Sequence, residues 1–404
     1  MRRIRSLFTV LGLFALFVFI FYPNVLHAQE RVSASPPNQV TLSNLDEAVA
    51  RAGAARKLIL DFDSSDFFPS EWAAAESLFT QAEQQRSSGT PPQTQDLAAL
   101  YVRAAEAYEA MLGKTLTQYY ERAAGEIVFA RDSAISSGAN IFAPDFILKT
   151  DNTVVSAVEN YHAEDYYAAK SSAADALNMY TAIGVGVEAF RIREEIALAV
   201  IQIIPEVLWQ ADDVGLDAIN KWDNEDYIGA RDGAETSLTM FSGLEYALWA
   251  YMLREEIIDL AAWFAPQDFA GAEDVGWEAI NEWEDGDFYS ALTSAENALL
   301  LYSQAAASAE RQRALELRAN TAVELEYIAA MDSYNMGNIS LQMRWNEDAL
   351  AFFEQSRFMF REAAHIALHR RRAAEAALIR ADRRLAESDE IARNVEAIIQ
   401  GGMQ

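Results

Sequence analysis

Side chains suited to catalysis or metal binding are few in this sequence. His365 and His369 stand four residues apart in the segment HIALH, which places both imidazoles on one face of a helix. A zinc protease motif needs glutamate directly after the first histidine, and this chain has Ile366 there. Cysteine is absent, which excludes thiolate metal ligands and cysteine nucleophiles. We therefore expect no metal, no cofactor and no enzymatic activity.

Repeated carboxylates are the other candidate for chemistry. Asp165, Asp226 and Asp287 are spaced by 61 residues, and each ends a short polar segment before a helical pattern. Acid–base catalysis needs two carboxylates near one substrate, whereas copies one repeat apart lie too far from each other. We interpret these aspartates as helix N-caps. Aromatic residues recur in the same register, and we interpret them as packing between helices: Tyr161, Trp222 and Trp283.

The segments that carry these residues are copies of one another. Pro144, Pro205 and Pro266 are spaced by 61 residues, a looser copy starts at Pro69, and an atypical last copy covers 333–360. We expect each unit to contain a helix that begins at the proline, a polar turn, a second helix, and a third helix such as 245–263. Alanines on the second helix should lie where another helix approaches closely: Ala230, Ala234, Ala291 and Ala295.

The N-terminus has the layout of a secretory signal peptide. Basic residues Arg2, Arg3 and Arg5 precede an apolar run at 7–22, and Ala28 offers a cleavage site. No cysteine follows the run, so lipoprotein anchoring is excluded. We predict a periplasmic or secreted protein with no membrane span after cleavage, and a retained anchor helix is the alternative.

The predicted organisation follows from these features. It consists of a signal peptide at 1–28, a linker at 29–44, helical repeats at 45–330, and an atypical C-terminal repeat with a basic capping helix at 331–400. The repeat units lie near 69–143, 144–204, 205–265 and 266–330. Atypical first and last units are typical of capping repeats.

The motif around Ala279, Trp283, Asp287, Ala291 and Ala295 resembles the tetratricopeptide repeat. The match covers about 24 residues in each of three units, but the 61-residue period exceeds the family's period of about 34. The units are also similar to periplasmic helical-repeat proteins of spirochaetes. The resemblance implies an all-α, right-handed α-solenoid with about three helices per repeat. It further implies a non-enzymatic scaffold that holds a peptide or partner protein in a groove.

The charge restricts the class of partner. A formal net charge of −29 argues against nucleic acid and anionic membranes, and it favours a basic protein or peptide. The first helix of each unit should present the binding face, which gives Asn220, Asn281, Asp217 and Glu278 as partner-binding residues. Tyr167 and Tyr289 are further candidates, because each follows another aromatic residue and two adjacent rings cannot both face the core. The basic C-terminal helix is an alternative docking surface through Arg370, Arg371, Arg372 and Arg383.

Two other functions remain open at the level of sequence. One is a structural spacer of the envelope or of periplasmic filaments that stacks end to end, which includes self-association. The other is an enzyme that acts on cell-wall glycan. That enzyme would need two carboxylates facing each other across a cleft, about 5 to 10 Å apart.

Overall fold

The computed structural model describes residues 45–88 and 94–401, with backbone alone at 94, 95 and 396–401. Every regular element in this part of the chain is an α-helix, and no strand occurs in it. The helices are α1 (Leu45–Leu60), α2 (Ser64–Phe67), α3 (Pro69–Ser87), α4 (Thr94–Ser136), α5 (Ala139–Phe142), α6 (Pro144–His162), α7 (Tyr166–Ile203), α8 (Pro205–Asp223), α9 (Tyr227–Phe264), α10 (Pro266–Glu284), α11 (Phe288–Glu316), α12 (Ala319–Ala322), α13 (Glu324–Gln342) and α14 (Asn346–Gly401). The predicted all-α helical repeat is confirmed, and its right-handed stacking stays a prediction. The predicted signal peptide and linker lie outside the described residues.

Each repeat pairs one short helix with one long helix. The short helices α3, α6, α8, α10 and α13 all have 19 residues, and the long helices α7 and α9 have 38. The prediction of about three helices per repeat is wrong, because the expected second and third helices are one continuous helix. Near the expected break, Gly243 is buried inside α9. A Cβ there would stand 3.5 Å from Leu292 Cα, which is an ordinary van der Waals contact, so Gly243 lies where α9 packs against α11 and does not form a turn.

Proline defines where most short helices begin. It occupies the first helical turn, where its missing N–H costs no hydrogen bond and its fixed φ suits the helix. The residue before each proline leaves the helical region, as Ile204 (φ −145°, ψ 75°) and Ala265 (φ −142°, ψ 53°) do, and this ends the preceding long helix. Helix α13 begins with Glu324 instead, yet Val323 adopts a similar conformation (φ −143°, ψ 60°). The prolines are Pro69, Pro144, Pro205 and Pro266.

The turn from short to long helix is a Schellman motif followed by an N-cap. After α8, the Asp226 N–H donates to the Lys221 carbonyl at 2.9 Å, and Glu225 adopts a left-handed conformation (φ 63°). The Asp226 carboxylate then accepts from the Gly229 N–H at 2.9 Å and caps α9. The predicted capping role is confirmed. The equivalent caps are Asp165 with Ala168 N–H and Asp287 with Ser290 N–H, both at 3.1 Å.

Aromatic rings close the same turn. The Trp222 and Tyr227 ring centroids are 5.3 Å apart and those of Trp283 and Phe288 are 5.1 Å apart, both edge to face. The prediction that these aromatic residues pack between helices is confirmed. Because each ring pair spans the turn, it fixes the angle at which the long helix leaves the short one.

The chain divides into two compact units, with the division between Gly184 and Val185 inside α7. In the first unit, α1 and α3 pack on α4, around a core that includes Phe62, Tyr101 and Tyr108.

In the second unit, successive long helices α9, α11 and α14 pack on one another, and each short helix packs on the long helix that follows it. The predicted small-residue positions Ala230, Ala234, Ala291 and Ala295 are buried. Because these side chains are small, the successive long helices can pack closely against each other.

Candidate functional site

The solvent side of α8 and α10 carries aspartate and asparagine at equivalent positions of successive repeats, and each helix also exposes one tryptophan at a position that is not equivalent in the other. Positions 209, 213, 216 and 220 of α8 are spaced by four, three and four residues, so they lie along one face of the helix. Positions 270, 274, 277 and 281 of α10 have the same spacing. Tryptophan is 54% exposed at position 209 and 61% exposed at position 277. Large apolar side chains left in water on a rigid face are typical of binding surfaces. We name these eight exposed residues the short-helix stripe: Trp209, Asp213, Leu216 and Asn220 on α8, with Ala270, Asp274, Trp277 and Asn281 on α10.

The buried side of each short helix explains why the stripe stays in water. Helix α8 buries Leu208, Ala211, Ala218 and Trp222, which use the opposite face. The predicted residues Asn220 and Asn281 end the stripe, and no described residue hydrogen-bonds to either carboxamide. Both amides are therefore able to donate to and accept from the backbone of a bound chain.

A shallow groove lies beside the stripe, between α8 and α9. Its walls enclose about 430 Å³ and consist of Gln210, Asp213, Val214, Asp217, Lys221, Asp232, Gly233 and Thr236. Lys221 Nζ lies 2.8 Å from Asp217 Oδ2, and this hydrogen bond raises the pKa of Lys221. Asp232 pairs with Arg231 at 2.8 Å, so Asp213 is the groove carboxylate that has no basic partner among the described residues. At its rim, Trp283 Nε1 donates to Gln210 Oε1 at 3.0 Å, so the next repeat helps to form the wall.

The other predicted residues of this face differ in their surroundings. Glu278 is exposed on α10, one position after Trp277, and Asp217 lines the groove. Tyr289 is 75% exposed at the start of α11. Its ring is therefore accessible to a partner.

Tyr167, in the first unit, is engaged within its own chain. Its hydroxyl donates to Asp61 Oδ2 at 2.8 Å, Lys57 Nζ lies 5.4 Å from its ring centroid, and the Phe62 ring lies 5.8 Å away. Tyr167 thus holds α7 to the end of α1. We exclude it from the proposed binding surface.

The basic residues of the C-terminal helix lie beyond the last repeat. Arg370 donates to the Ala322 carbonyl, and Arg371 Nε lies 3.0 Å from Glu375 Oε1 on the same helix. Arg372 and Arg383 are exposed. None of these four arginines pairs with an acidic residue of the repeats, among the residues that the structure describes.

A metal-ligand cluster and a membrane-spanning helix are both absent from the described residues. His365 and His369 are exposed. Across residues 45–88 and 94–401, no three potential ligand side chains converge as a metal site requires. None of the helices in that part of the chain combines the length and the apolarity that a bilayer span requires.

A recurrent set of charged residues was missed by the sequence reasoning. Arg254 of α9 pairs with Glu273 of α10 through Nε–Oε1 at 2.5 Å and Nη2–Oε2 at 3.2 Å. The Tyr302 hydroxyl of α11 donates to the same Oε1 at 2.7 Å. We name this arrangement, which joins three helices, the ionic latch. Its other copies are Arg56–Glu76–Tyr108, Arg131–Asp151–Tyr180, and Arg193–Asp212 with Phe241 in place of tyrosine.

The pKa directions show that the ionic latch is structural. Hydrogen bonding to Arg254 lowers the pKa of Glu273 and the same pair raises the pKa of Arg254. Burial, reinforced by the hydrogen bond to Glu273, raises the pKa of Tyr302. The carboxylate therefore stays charged and the phenol stays neutral at physiological pH, so the latch offers no group ready to exchange a proton.

The last repeat lacks the complete latch. Met331 occupies the carboxylate position, and the Arg311 guanidinium instead lies 5.6 Å from the Tyr334 ring centroid. The sequence did contain a signal for the latch, because Asp212 and Glu273 are spaced by 61 residues.

Comparisons with protein-family models, curated proteins and solved structures give no significant match to this chain. The function therefore has to be argued from the geometry of this protein's own surface.

Proposed function

We propose that the protein is a non-enzymatic, exported scaffold that binds a basic peptide or partner protein across the short-helix stripe. The observation that carries the proposal is the repetition of exposed residues in register on α8 and α10. Trp209 and Trp277 belong to the residue type that contributes most to protein interfaces. Both stand on helices that the ionic latch fixes to their neighbours, so little order is lost when a partner binds.

The charge of the face supports a basic partner. The groove carboxylates Asp217 and Asp232 already pair with Lys221 and Arg231, but Asp213 and Asp274 lie within the stripe and have no basic partner among the described residues. Lysine or arginine side chains of a partner would reach these carboxylates while its apolar side chains cover the tryptophans. Because the carboxylates are exposed, added salt should weaken the association.

In our proposal, the Asn220 and Asn281 side chains form hydrogen bonds with the backbone of the bound partner. Each carboxamide offers a donor and an acceptor at the same register of successive repeats. A main chain that crosses both helices would form one pair of hydrogen bonds per repeat, which explains why the same residue type recurs while the apolar positions vary.

Matched tryptophan variants test the proposal. The partner is first captured from the envelope fraction of the exporting cell, identified, and then purified for calorimetric titration. The double variant Trp209→Ala, Trp277→Ala should raise Kd by about 30-fold or more, since a central interface tryptophan contributes about 2 kcal/mol or more.

The control removes the same residue type elsewhere. Trp249 and Trp263 of α9 are 50% and 77% exposed and lie outside the stripe. Their double alanine variant should bind within about threefold of the wild type. Equal losses in both double variants, or no loss in either, would rule out the stripe as the binding face.

The amides provide a separate test. The Asn220→Ala, Asn281→Ala variant should retain its helical circular dichroism and capture less of the same partner. Unchanged partner identity and yield would remove these amides from the site and favour the basic C-terminal helix instead.

The structural spacer remains a second candidate because of one observation. Helix α14 continues beyond the last repeat with all its described side chains exposed from 371 to 395. An exposed end of this kind is suited to joining copies.

A further inference from the structure

The C-terminal part of α14 is an apolar surface that nothing in the described structure covers. Leu378 and Leu385 are 65% and 62% exposed, and Val395 is 49% exposed. A helix with so much apolar side chain in water is normally stabilised by packing against a partner helix.

The uncovered surface continues a seam that is packed further upstream. Phe360, Ala364 and Ala367 are 0%, 2% and 1% exposed and form the core of the last repeat with α13. They are spaced by four and three residues. The same alternation of three and four residues continues into the exposed part, as in a heptad repeat, with Arg371 at the first exposed seam position and small or apolar residues after it apart from Ser388. We name this continuation the α14 seam: Ala374, Leu378, Ala381, Leu385, Ser388, Ala392 and Val395.

We propose that the α14 seam is covered by the α14 seam of a second copy, so that two C-terminal helices pair in parallel as a coiled coil. The occupant is a second copy because the seam extends an existing helix-packing surface of this chain. The segment also carries no acidic excess that would repel a copy of itself. Residues 370–393 contain seven arginines and five acidic residues, whereas the whole chain carries a net charge of −29.

The charged residues on the two flanks of the α14 seam favour a parallel over an antiparallel pair of helices. The positions that follow Ala374, Ala381 and Ser388 are acidic: Glu375, Asp382 and Asp389. Arg384 stands on the other flank, directly before Leu385. In a parallel pair, the two flanks face each other, and Arg384 lies opposite Asp389 of the second copy. An antiparallel pair would place the acidic flank opposite itself.

The inference is independent of the proposed binding function, since the seam and the short-helix stripe lie on different helices. Each can fail without the other.

Matched substitutions test the pairing in the full chain. Sedimentation equilibrium should give twice the mass of the monomer at micromolar concentration. The variant Leu378→Gln, Leu385→Gln should raise the dimer dissociation constant at least about tenfold, because both side chains would no longer be buried. The control Ile379→Gln changes a side chain of similar exposure, 63%, that lies beside the seam, and it should leave the mass unchanged.

Cysteine cross-linking tests whether the two α14 helices run parallel to each other. The chain has no cysteine, so one introduced cysteine gives an unambiguous disulfide. In a parallel pair, Leu385→Cys lies opposite itself and should yield a covalent dimer on mild oxidation, whereas Ala376→Cys on the far side should not. A monomeric wild type, equal dissociation by the Ile379 variant, or equal cross-linking at both positions would overturn the proposal.

Discussion

Replacing Tyr302 by phenylalanine tests how the ionic latch holds successive repeats together. The hydroxyl donates to Glu273 Oε1 at 2.7 Å, and the ring is only 4% exposed. The substitution removes this donor and leaves the ring volume nearly unchanged. Phe241 occupies the equivalent position in the preceding repeat, so the packing accepts a ring without a hydroxyl.

The expected cost follows from the charge of the acceptor. A hydrogen bond to a charged group contributes about 1.5–3 kcal/mol to the free energy of unfolding. Glu273 keeps both bonds from Arg254, and its side chain is 24% exposed, so water replaces part of what is lost. We therefore expect a loss of about 1–2 kcal/mol, which corresponds to about 2–8 °C in Tm for a unit of this size.

Urea denaturation followed by circular dichroism measures the loss directly. Tyr289→Phe is the control, because that ring is 75% exposed and should change stability by less than about 0.5 kcal/mol. If Tyr302→Phe is as stable as the control variant, then the hydroxyl does not reinforce the latch and the repeats are held by apolar packing alone.

Two further predictions concern helix packing and pH. Gly233→Ala should lower the free energy of unfolding by about 1–3 kcal/mol, because the new Cβ would stand 2.9 Å from the Ala218 Cβ. Gly271→Ala meets nothing within 4 Å and should instead stabilise by about 0.5–1 kcal/mol, so equal effects in urea denaturation would contradict the packing of α8 on α9. The pKa of Glu273 is lowered on folding, mainly by Arg254, so the unfolded chain binds more protons in acid. The stabilisation by the charged Glu273 carboxylate is then present above about pH 4.5 and is lost as the pH falls. In the Glu273→Gln variant this titrating group is absent, so the denaturation midpoint should fall less steeply with decreasing pH than in the wild type. An unchanged acid profile would show that Glu273 is not held by the latch.

Local signals predicted the short helices and their turns well. Proline at the helix start and aspartate at the cap act on neighbouring backbone groups, so Pro205 and Asp226 reveal their roles within a few residues. The expected break before 245 did not occur, because Gly243 is helical and buried within α9, and the buried residues Leu244 and Leu248 continue the same helix. Tertiary packing of this kind outweighs the low helix propensity of a glycine.

The candidate site was only partly predictable. Asn220 and Asn281 recur in register, so their shared exposed position followed from the period. Trp209 and Trp277 do not align with each other, since Trp277 corresponds to Leu216, and tryptophan is ordinarily expected inside. Only the packing of α8 on α9 and of α10 on α11 shows that these positions face water. The ionic latch escaped notice because Asp212 and Glu273 differ in residue type, and because its partners come from three helices.

Site-specific photo-crosslinking tests the proposed binding face most directly. A photoreactive phenylalanine analogue would replace Leu216, in the middle of the short-helix stripe, or Leu198 of α7 as the control. The two leucines are 57% and 79% exposed, so both positions are accessible. After irradiation in the intact exporting cell, Leu216 should give a discrete adduct with one partner that Trp277→Ala diminishes, and Leu198 should not. Adducts of equal yield at both positions, or a discrete adduct at Leu198 alone, would contradict binding across the stripe.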